Sequence, residues 1–246
     1  MNNIVEHFYQ HTHQLAECAN LRQLETVCGR YLHSLGGQFF KYAWTPPTIS
    51  GDPQPVAFFT CPEPWLQQYA QQGYGRTDPK FRHCQQSQHA VEWDAQCIGS
   101  QVTQQRIRPQ DRAFWRDTLD MGMANGATIP IRGIAGSTGM LCIAYEGAYV
   151  PRESAPLPLL EAWAMHVHTH VERLHVKQQL RSPLTRREQE VLKWTVLGKT
   201  ADGIGDTLHI SSNTVLFHLG NLRRKFGVAN KHHLIAKALA LGLVNF

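Results

Sequence analysis

Residues 184–200 read LTRREQEVLKWTVLGKT, and residues 210–226 read ISSNTVLFHLGNLRRKF. Thr185 and Glu188 have the spacing of a capping box, in which each side chain binds a free backbone N–H of the other residue at a helix start. Gly198 is expected to end that helix, because glycine readily adopts the left-handed conformation that follows many helices. The two stretches therefore predict short helices separated by tight turns.

Four helices are expected within residues 184–246, each with one apolar face. Thr200 is expected to open the second helix, and Ser211 to cap the third. The residues expected to face inward are Val191, Leu192, Leu197, Ile204, Leu208, Val215, Leu219, Leu222, Phe226, Leu234, Ile235, Ala238 and Leu239. Because the second and third helices are tightly linked, this pattern predicts an all-α, four-helix helix-turn-helix domain.

The outer face of the third helix is polar and basic, which suits a helix that enters the DNA major groove. From Val176 onward the chain has eleven lysine and arginine residues against four acidic ones, whereas the part before it is slightly acidic. Such a basic region favours double-stranded DNA as a partner, with phosphate contacts giving affinity and base contacts giving sequence choice. The candidate DNA contacts are Ser212, Asn213, Thr214, Leu216, His218, Asn221, Arg223, Arg224 and Lys225. These residues alone leave open a helical bundle with a solvated face.

The same region resembles the C-terminal DNA-binding module of LuxR-type transcription factors over almost its whole length. The matching residues are Glu188, Leu192, Gly198, Ile210-Ser211, Thr214-Val215, His218 and Lys225-Phe226. The resemblance implies a homodimer that reads a palindromic promoter site with paired helices, and it implies RNA polymerase as a further partner.

Two positions depart from that family pattern. Gly203-Ile204-Gly205 stands where the family commonly has Glu-Ile-Ala, and each glycine costs about 1 kcal/mol relative to alanine inside a helix. The second helix is therefore expected to be weak until DNA or a second subunit supports it. Leu216 replaces a common polar residue, and it can contact a thymine methyl group but cannot hydrogen-bond a base.

Residues 1–175 are expected to form an α+β domain, an α/β/α sandwich around an antiparallel sheet. The pattern predicts helices at residues 4–18, 21–35, 63–72, 111–121 and 157–180, strands at 37–44 and 56–60, and a hairpin formed by 127–133 and 138–147. Residues 176–183, a polar stretch that ends in proline, are expected to link this domain to residues 184–246.

The stretch WLQQYAQQGYGRTDPKF, residues 65–81, suits either a core or a polar pocket. Trp65 and Tyr69 lie one helical turn apart and so share a face. An indole N–H only donates a hydrogen bond, a phenol donates or accepts, and an ionised carboxylate such as that of Asp78 only accepts. This set matches a ligand with two carbonyl groups and an amide N–H. The alternative is that the aromatic residues belong to a core and that Asp78-Pro79 is a turn.

Together with Trp93, Gly126 and the strand TIPIRG, this stretch resembles the ligand-binding domain of LuxR-type quorum sensors, most closely the LasR-like branch. Members of that family bind N-acyl-homoserine lactones. The resemblance implies that Trp65 binds the lactone carbonyl, Tyr69 the amide carbonyl and Asp78 the amide N–H, and that Trp93 packs on the head group. Thr128, in the same strand, is a further expected ligand contact.

Three expected ligand contacts differ from that branch. Cys61 and Cys142 stand where the branch has a tyrosine and a serine that contact the amide region of the ligand, and Lys80 replaces a small hydroxyl residue. If Lys80 points inward, it could pair with Asp78 or favour a polar or acidic ligand substituent. Our expectation is that it points outward, as a surface cation.

Several other classes of function have little support in the sequence. No nucleotide-binding or hydrolase motif is present, so an enzyme interpretation lacks a motif. No metal or cofactor is expected at the run His166, His168 and His170, which falls on the long helix that pairs subunits in the family; protonation there could make dimerisation pH-sensitive. The six cysteines, which form no C-x-x-C pair, are expected to be reduced; they are Cys18, Cys28, Cys61, Cys84, Cys97 and Cys142.

The patterns together predict a homodimeric transcription factor that responds to an N-acyl-homoserine lactone. Ligand burial is expected to stabilise the sensor domain and so promote pairing and DNA binding. A cytoplasmic location is expected, because the sequence has neither a secretory signal nor an apolar run of membrane-spanning length. Cys61, Lys80 and Cys142 keep open a LuxR-type solo regulator that answers a different small molecule or acts without one.

Overall fold

The structure, a computed structural model, describes residues 2–48, 54–95, 108–145 and 156–244. The chain divides into two compact units: residues 1–46, 54–133 and 137–171 form the first, and residues 47–53, 134–136 and 172–246 form the second. The last division falls inside a long helix. The first unit contains a β-sheet and its helices, and the second contains the four C-terminal helices. The long helix runs into residues 176–183, so the linker assigned there, like the domain limits at 175 and 184, stays a prediction.

The elements of the first unit follow the predicted order. They are α1 Asn2–Glu17, α2 Leu21–Ser34, β1 Gly37–Thr45, β2 Val56–Phe59, α3 Glu63–Gln71, α4 Tyr74–Thr77, α5 Pro79–Gln86, β3 Val91–Asp94, α6 Pro109–Asp120, β4 Asn125–Arg132, β5 Thr138–Tyr145 and α7 Leu157–Gln179. The five strands form one antiparallel sheet in the order β2-β1-β5-β4-β3. The predicted hairpin is the β4–β5 pair.

The sheet has helices on both faces, which confirms the predicted α/β/α sandwich. Tyr42 lies on one face of β1. Its hydroxyl is hydrogen-bonded to Nδ1 of His168 in α7, over 2.7 Å. The side chains of Phe39 and Lys41 alternate with it and therefore lie on the opposite face. Helix α5 packs on β4 and β5. The sheet thus separates an α7 side from a side on which β1 presents a lysine.

Three short elements were absent from the prediction: α4, α5 and β3. Helix α5 begins where the sequence suggested at most a turn. Asp78 is its N-cap, since its Oδ1 accepts a 2.8 Å hydrogen bond from the backbone N–H of Lys80, and Pro79 occupies the first helical position. Both are favoured residues at a helix start. Asp78 therefore has a structural role in addition to any role in ligand binding.

The second unit contains the four predicted helices: α8 Arg186–Val196, α9 Ala201–Leu208, α10 Ser212–Phe226 and α11 Lys231–Ala240. The capping box at the start of α8 is present. Two predicted inward residues are wrong, because Leu197 is 45% exposed and Leu239 is 37% exposed. Leu197 lies beyond the last turn of α8, and Leu239 is rotated away from the buried Ala238.

The two glycines of α9 differ in their surroundings, and this corrects the expectation that both merely weaken the helix. A Cβ atom on Gly205 would lie 2.6 Å from the carbonyl oxygen of Ile210, so the helix packs against the following turn only because no side chain is present. A Cβ atom on Gly203 would meet nothing closer than the Thr200 hydroxyl at 3.4 Å. The close packing of α9 against the following turn therefore requires glycine at position 205, whereas no close contact requires glycine at position 203.

We expect Gly203→Ala to stabilise the second unit by about 0.5–1 kcal/mol, because alanine is the better helix former. Gly205→Ala should destabilise it despite the same gain in propensity, because the new methyl group overlaps backbone atoms. Hydrogen exchange of α9 and α10 in the full chain measures both effects. Equal stabilisation by the two substitutions would contradict this account of Gly205.

Candidate functional site

A small cavity lies on the Lys41 side of the sheet in the first unit. Of the eight predicted ligand contacts, Cys61, Trp65, Lys80 and Cys142 line it. The other four lie in the layer directly around these. The structure therefore brings all eight together, although they come from residues 61–142.

Tyr69 and Asp78 form a hydrogen-bonded pair beside the cavity. The Tyr69 hydroxyl donates to Oδ2 of Asp78 over 2.9 Å, while Oδ1 of Asp78 accepts from the backbone N–H of Lys80. Asp78 is only 3% exposed. Burying a carboxylate is costly unless it is hydrogen-bonded, and here each of its two oxygens accepts a hydrogen bond from the chain. Burial and the neighbouring Asp78 raise the pKa of Tyr69, which keeps its hydroxyl protonated and able to donate.

An aromatic cluster that includes Trp65, a lining residue, lies beside the cavity. The rings of Trp65 and Tyr69 pack edge to face, with centroids 5.7 Å apart, and the rings of Trp93 and Trp115 lie 5.6 Å apart. Trp93 is 5% exposed, and its indole N–H has no hydrogen-bond partner among the residues described. A buried donor without a partner is costly, and an acceptor on a bound ligand would relieve that cost.

Gly126 gives Trp93 its position. A Cβ atom at Gly126 would overlap both the Trp93 ring and the carbonyl oxygen of Ile143 in the neighbouring strand. Gly126 and Trp93 are also paired across β3 and β4. The absence of a side chain at this position is therefore a requirement of the aromatic cluster.

Lys80 points into the first unit, so the expectation of a surface cation is wrong. Its side chain lines the cavity and the residue is 8% exposed. Its Nζ lies 4.6 Å from the centre of the Trp93 ring and 5.0 Å from that of Phe114. Burial lowers the pKa of Lys80, whereas its neighbours Cys142, Asp78 and Cys61 together raise it above the ordinary value. Its place in the first turn of α5, after Asp78-Pro79, directs the side chain inward.

Lys41 is a second cavity cation, and it is not among the ligand contacts predicted from the sequence. Its Nζ lies 3.9 Å from the centre of the Tyr69 ring, and burial lowers its pKa although Asp78 opposes that shift. The strand pattern carried a usable signal, because Lys41 falls between the large aromatic residues of QFFKYAW and so on a strand with two covered faces.

The remaining predicted contacts are the hydroxyl and thiol groups. Thr128 is fully buried and donates to the sulfur of Cys142 over 3.5 Å, so it adjoins the cavity through that residue. The Cys61 thiol donates to the carbonyl oxygen of Phe40, and burial raises the pKa of Cys61 to about 11. Cys61 is therefore a neutral thiol at physiological pH. Cys97, predicted to be reduced, lies outside the described residues.

Helix α10 presents most of the predicted DNA contacts to solvent. Ser211 caps it as predicted, accepting from the backbone N–H of Thr214 over 3.1 Å. Leu216 is 55% exposed. Its neighbour Phe217, which is not among the predicted DNA contacts, is 63% exposed. The outer face of α10 thus combines polar, cationic and apolar groups. The exposed residues are Asn213, Leu216, Phe217, Arg223 and Arg224, and the half-buried ones are Ser212, Thr214, His218, Asn221 and Lys225.

Lys225 is already engaged within the second unit, and its assignment as a phosphate contact stays a prediction. Its Nζ lies 2.7 Å from Oε2 of Glu188 and 2.7 Å from the carbonyl oxygen of Pro183. The ion pair joins the end of α10 to the capping box of α8. Arg181, which flanks a surface groove with Arg223 and Arg224, is a better third cation for that face.

The Glu188–Lys225 pair makes the second unit sensitive to acid. Burial alone would raise the pKa of Glu188, but hydrogen bonds from Lys225 and Thr185 lower it below the ordinary value of 4.5. The stabilisation is therefore complete above about pH 4.5 and is lost as the pH falls through the lower, folded-state pKa.

We expect Glu188→Gln to lower the free energy of unfolding of this unit by about 1–3 kcal/mol at neutral pH, because it removes a charged hydrogen bond. The variant should also lose part of the acid sensitivity. Glu190→Gln is the control, since Glu190 forms only more exposed pairs with Arg186 and Arg187, which contribute little. Hydrogen exchange of α8 as a function of pH measures this, and equal effects of the two substitutions would contradict it.

The histidines of α7 differ in their exposure to solvent. His168 is 2% exposed and bonded to Tyr42, whereas His166 is exposed. No group of three histidine, cysteine or acidic side chains in the described parts of the chain could hold a metal ion. No helix there has both the length and the apolar character needed to cross a membrane.

Comparison with known families matches both units. The autoinducer-binding domain family matches residues 20–171, and the family of bacterial regulatory proteins called the luxR family matches residues 182–238.

Individual proteins are similar over nearly the whole chain. The transcriptional activator BjaR1 of Bradyrhizobium diazoefficiens is 29% identical and covers 87% of this chain and 89% of its own length. The quorum-sensing regulator RhlR of Pseudomonas aeruginosa is also 29% identical, over 89% of this chain and 88% of its own. A solved structure of SdiA in complex with octanoyl-rac-glycerol has a TM-score of 0.64 at 18% identity, covering 97% of this chain and 96% of that one, and it shows a shared fold.

Proposed function

Since this chain belongs to the LuxR family of bacterial regulatory proteins and carries an autoinducer-binding domain, we propose that it binds an N-acyl-homoserine lactone and then, as a homodimer, a palindromic promoter site. Members of this family are transcriptional regulators and not enzymes. The proposal places the protein in the cytoplasm, with double-stranded DNA and RNA polymerase as partners.

The observation that carries the ligand proposal is the buried Tyr69–Asp78 pair beside the cavity that Trp65 lines. An acceptor-only carboxylate next to a phenol is suited to a ligand amide, whose N–H binds Asp78 while its carbonyl accepts from Tyr69. The indole N–H of Trp65 then binds the lactone carbonyl, and Trp93 packs on the head group. The ligand amide replaces the hydrogen bond that the two side chains form with each other.

The homodimer proposal has support from an apolar surface on the first unit. Met165 on α7 is 52% exposed, and Val5 and Tyr9 on α1 are 53% and 64% exposed. The rings of Phe8 and His166 lie 5.6 Å apart, so the two helices are neighbours and these apolar side chains share one region. A second copy of the chain would cover them.

A second candidate function keeps the regulator and changes the ligand. Lys80, Cys61 and Cys142 line the cavity in place of uncharged hydroxyl groups, and SdiA, which shares the fold, has been solved in complex with octanoyl-rac-glycerol. A solo regulator that answers another small molecule would show no binding to N-acyl-homoserine compounds but would still bind DNA.

We expect Arg223→Ala to weaken DNA binding and to reduce the slope of log affinity against log salt by about 1, because one phosphate contact is lost. Arg223 is exposed at the end of α10. Ligand-induced stabilisation should stay unchanged. Arg22→Ala, at a cation of the first unit, is the control and should leave DNA binding intact.

The experiment that tests the proposed function selects bound sequences from a random DNA library with the full chain, in the presence and absence of lactone. We expect a two-fold symmetric sequence enriched only when the lactone is present. Enrichment that is equal without ligand would favour the solo regulator, and the absence of any enriched sequence would contradict a DNA-binding role.

A further inference from the structure

The groups around the cavity include more hydrogen-bond donors than acceptors and more positive than negative charges, and the proposed lactone alone does not explain this excess. Lys41 and Lys80 place two ammonium groups on its lining, and the indole N–H of Trp93 adds a buried donor without a partner among the described residues. The nearby acidic group is Asp78, whose two oxygens accept from Tyr69 and from a backbone N–H. The site thus has more donors than acceptors, and more positive than negative charge.

Neither ammonium group forms an ion pair with a carboxylate in the part of the chain that the structure describes. Each lies over aromatic rings instead, Lys41 over Tyr69 and Lys80 over Trp93. Ring faces attract cations but carry no net charge, so they leave the cavity with an excess positive charge. Burying such a charge without a counter-ion is unfavourable.

Both cations are neighbours of one residue, Cys142. Lys41 on β1 is the cross-strand partner of Cys142 on β5, and Lys80 lies close to the same sulfur, which supports its raised pKa. Cys142 also lines the cavity. An anionic group bound near Cys142 would therefore be within the field of both ammonium groups.

We propose that Lys41 and Lys80 form an anion-binding subsite, and that the preferred ligand is an N-acyl compound with a carboxylate next to its amide. This inference rests on the proposed function, because it uses the same cavity and the same Tyr69–Asp78 contact for the amide. The closest test compound is the ring-opened form of an N-acyl-homoserine lactone. Addition of water breaks the ring ester bond, so that the lactone carbonyl becomes a carboxylate and the ring oxygen becomes a free hydroxyl.

Binding of a carboxylate is expected to be about 10- to 150-fold tighter than binding of the neutral compound, which is the range for a hydrogen bond to a charged group. The same carboxylate would compensate both lysines. An uncharged lactone would satisfy Trp65 or Trp93 but would leave the charge of the cavity unbalanced.

The test measures dissociation constants of the full chain by isothermal titration for N-octanoyl-homoserine lactone, its ring-opened acid and the methyl ester of that acid. A mildly acidic buffer keeps the lactone closed. We expect the acid to bind at least about 10-fold more tightly than the lactone and the ester. Lys80→Met should remove that preference, and Lys41→Met should reduce it.

Arg76→Met is the matched control, because Arg76 is an exposed cation four residues before Lys80. If Lys80→Met does not fold, the wild-type comparison of acid with ester and the Lys41→Met variant still decide the matter. A lactone that binds as tightly as the acid, or an acid preference that survives in both lysine variants, would overturn the subsite and leave the proposed function standing. Failure of all three compounds to bind would overturn the proposed function itself.

Discussion

Asp78→Asn is expected to weaken ligand binding by about 10- to 150-fold, the largest effect of any single isosteric change in the cavity. The substitution replaces an acceptor-only carboxylate by a group that presents N–H to the ligand amide, and a hydrogen bond to a charged partner contributes about 1.5–3 kcal/mol. One amide oxygen remains to accept from the backbone N–H of Lys80, so helix α5 keeps its cap. Titration of the purified variant with the best ligand of the wild type measures this change.

Asp120→Asn is the control for that experiment, because Asp120 is exposed in the same unit. DNA affinity measured with saturating ligand should be the same for both variants, since the DNA contacts lie in the second unit. If Asp78→Asn kept wild-type ligand affinity, the carboxylate would be a helix cap only, and its assignment to the ligand amide would be wrong.

Gly126→Ala is expected to destabilise the first unit by about 3 kcal/mol or more and to deplete soluble protein. The added methyl group would overlap the carbonyl oxygen of Ile143 and the Trp93 ring. The first of these belongs to the backbone of a central strand and cannot move without breaking the β4–β5 pairing, so relief by small side-chain shifts is blocked. Soluble yield and the urea midpoint of unfolding measure the effect.

Gly75→Ala is the matched control for the Gly126 substitution. A Cβ atom there would meet only the Tyr69 ring, at 4.0 Å, so the same chemical change should leave the yield unaffected. Equal yields of the two variants would show that the sheet can move apart at Gly126, and would contradict the close packing that positions Trp93.

Much of the fold was accessible from the sequence because its signals are local. The capping box at Thr185 and Glu188, the alternating pattern of β1 and the stripe on α10 each depend on residues a few positions apart. The Trp65, Tyr69 and Asp78 set was also accessible, since it is confined to one short segment. The start of α5 could have been predicted as well, because aspartate followed by proline favours a helix N-terminus.

The positive charge of the cavity could not be predicted from local sequence patterns. Whether Lys80 points inward depends on the exact residue at which α5 begins, and a shift of one position on a helix rotates a side chain by about 100°. Lys41 becomes a cavity residue only because a helical layer covers its side of the sheet. The ion pair of Lys225 is similar, because its partner, Glu188, lies 37 residues away in the chain. These features depend on tertiary contacts that no local pattern encodes.

The central claim is that the cavity of the first unit binds an N-acyl-homoserine compound and is stabilised by it. The most direct test is the melting temperature of the purified full chain with a panel of N-acyl-homoserine lactones of different chain lengths and their ring-opened acids. At a ligand concentration 100 times the dissociation constant, stabilisation of about 2.7 kcal/mol is expected, which corresponds to a rise of several degrees. At least one member of the panel should produce that rise in the wild type and a much smaller one in Asp78→Asn. No rise with any compound, in protein shown to be folded, would contradict the account.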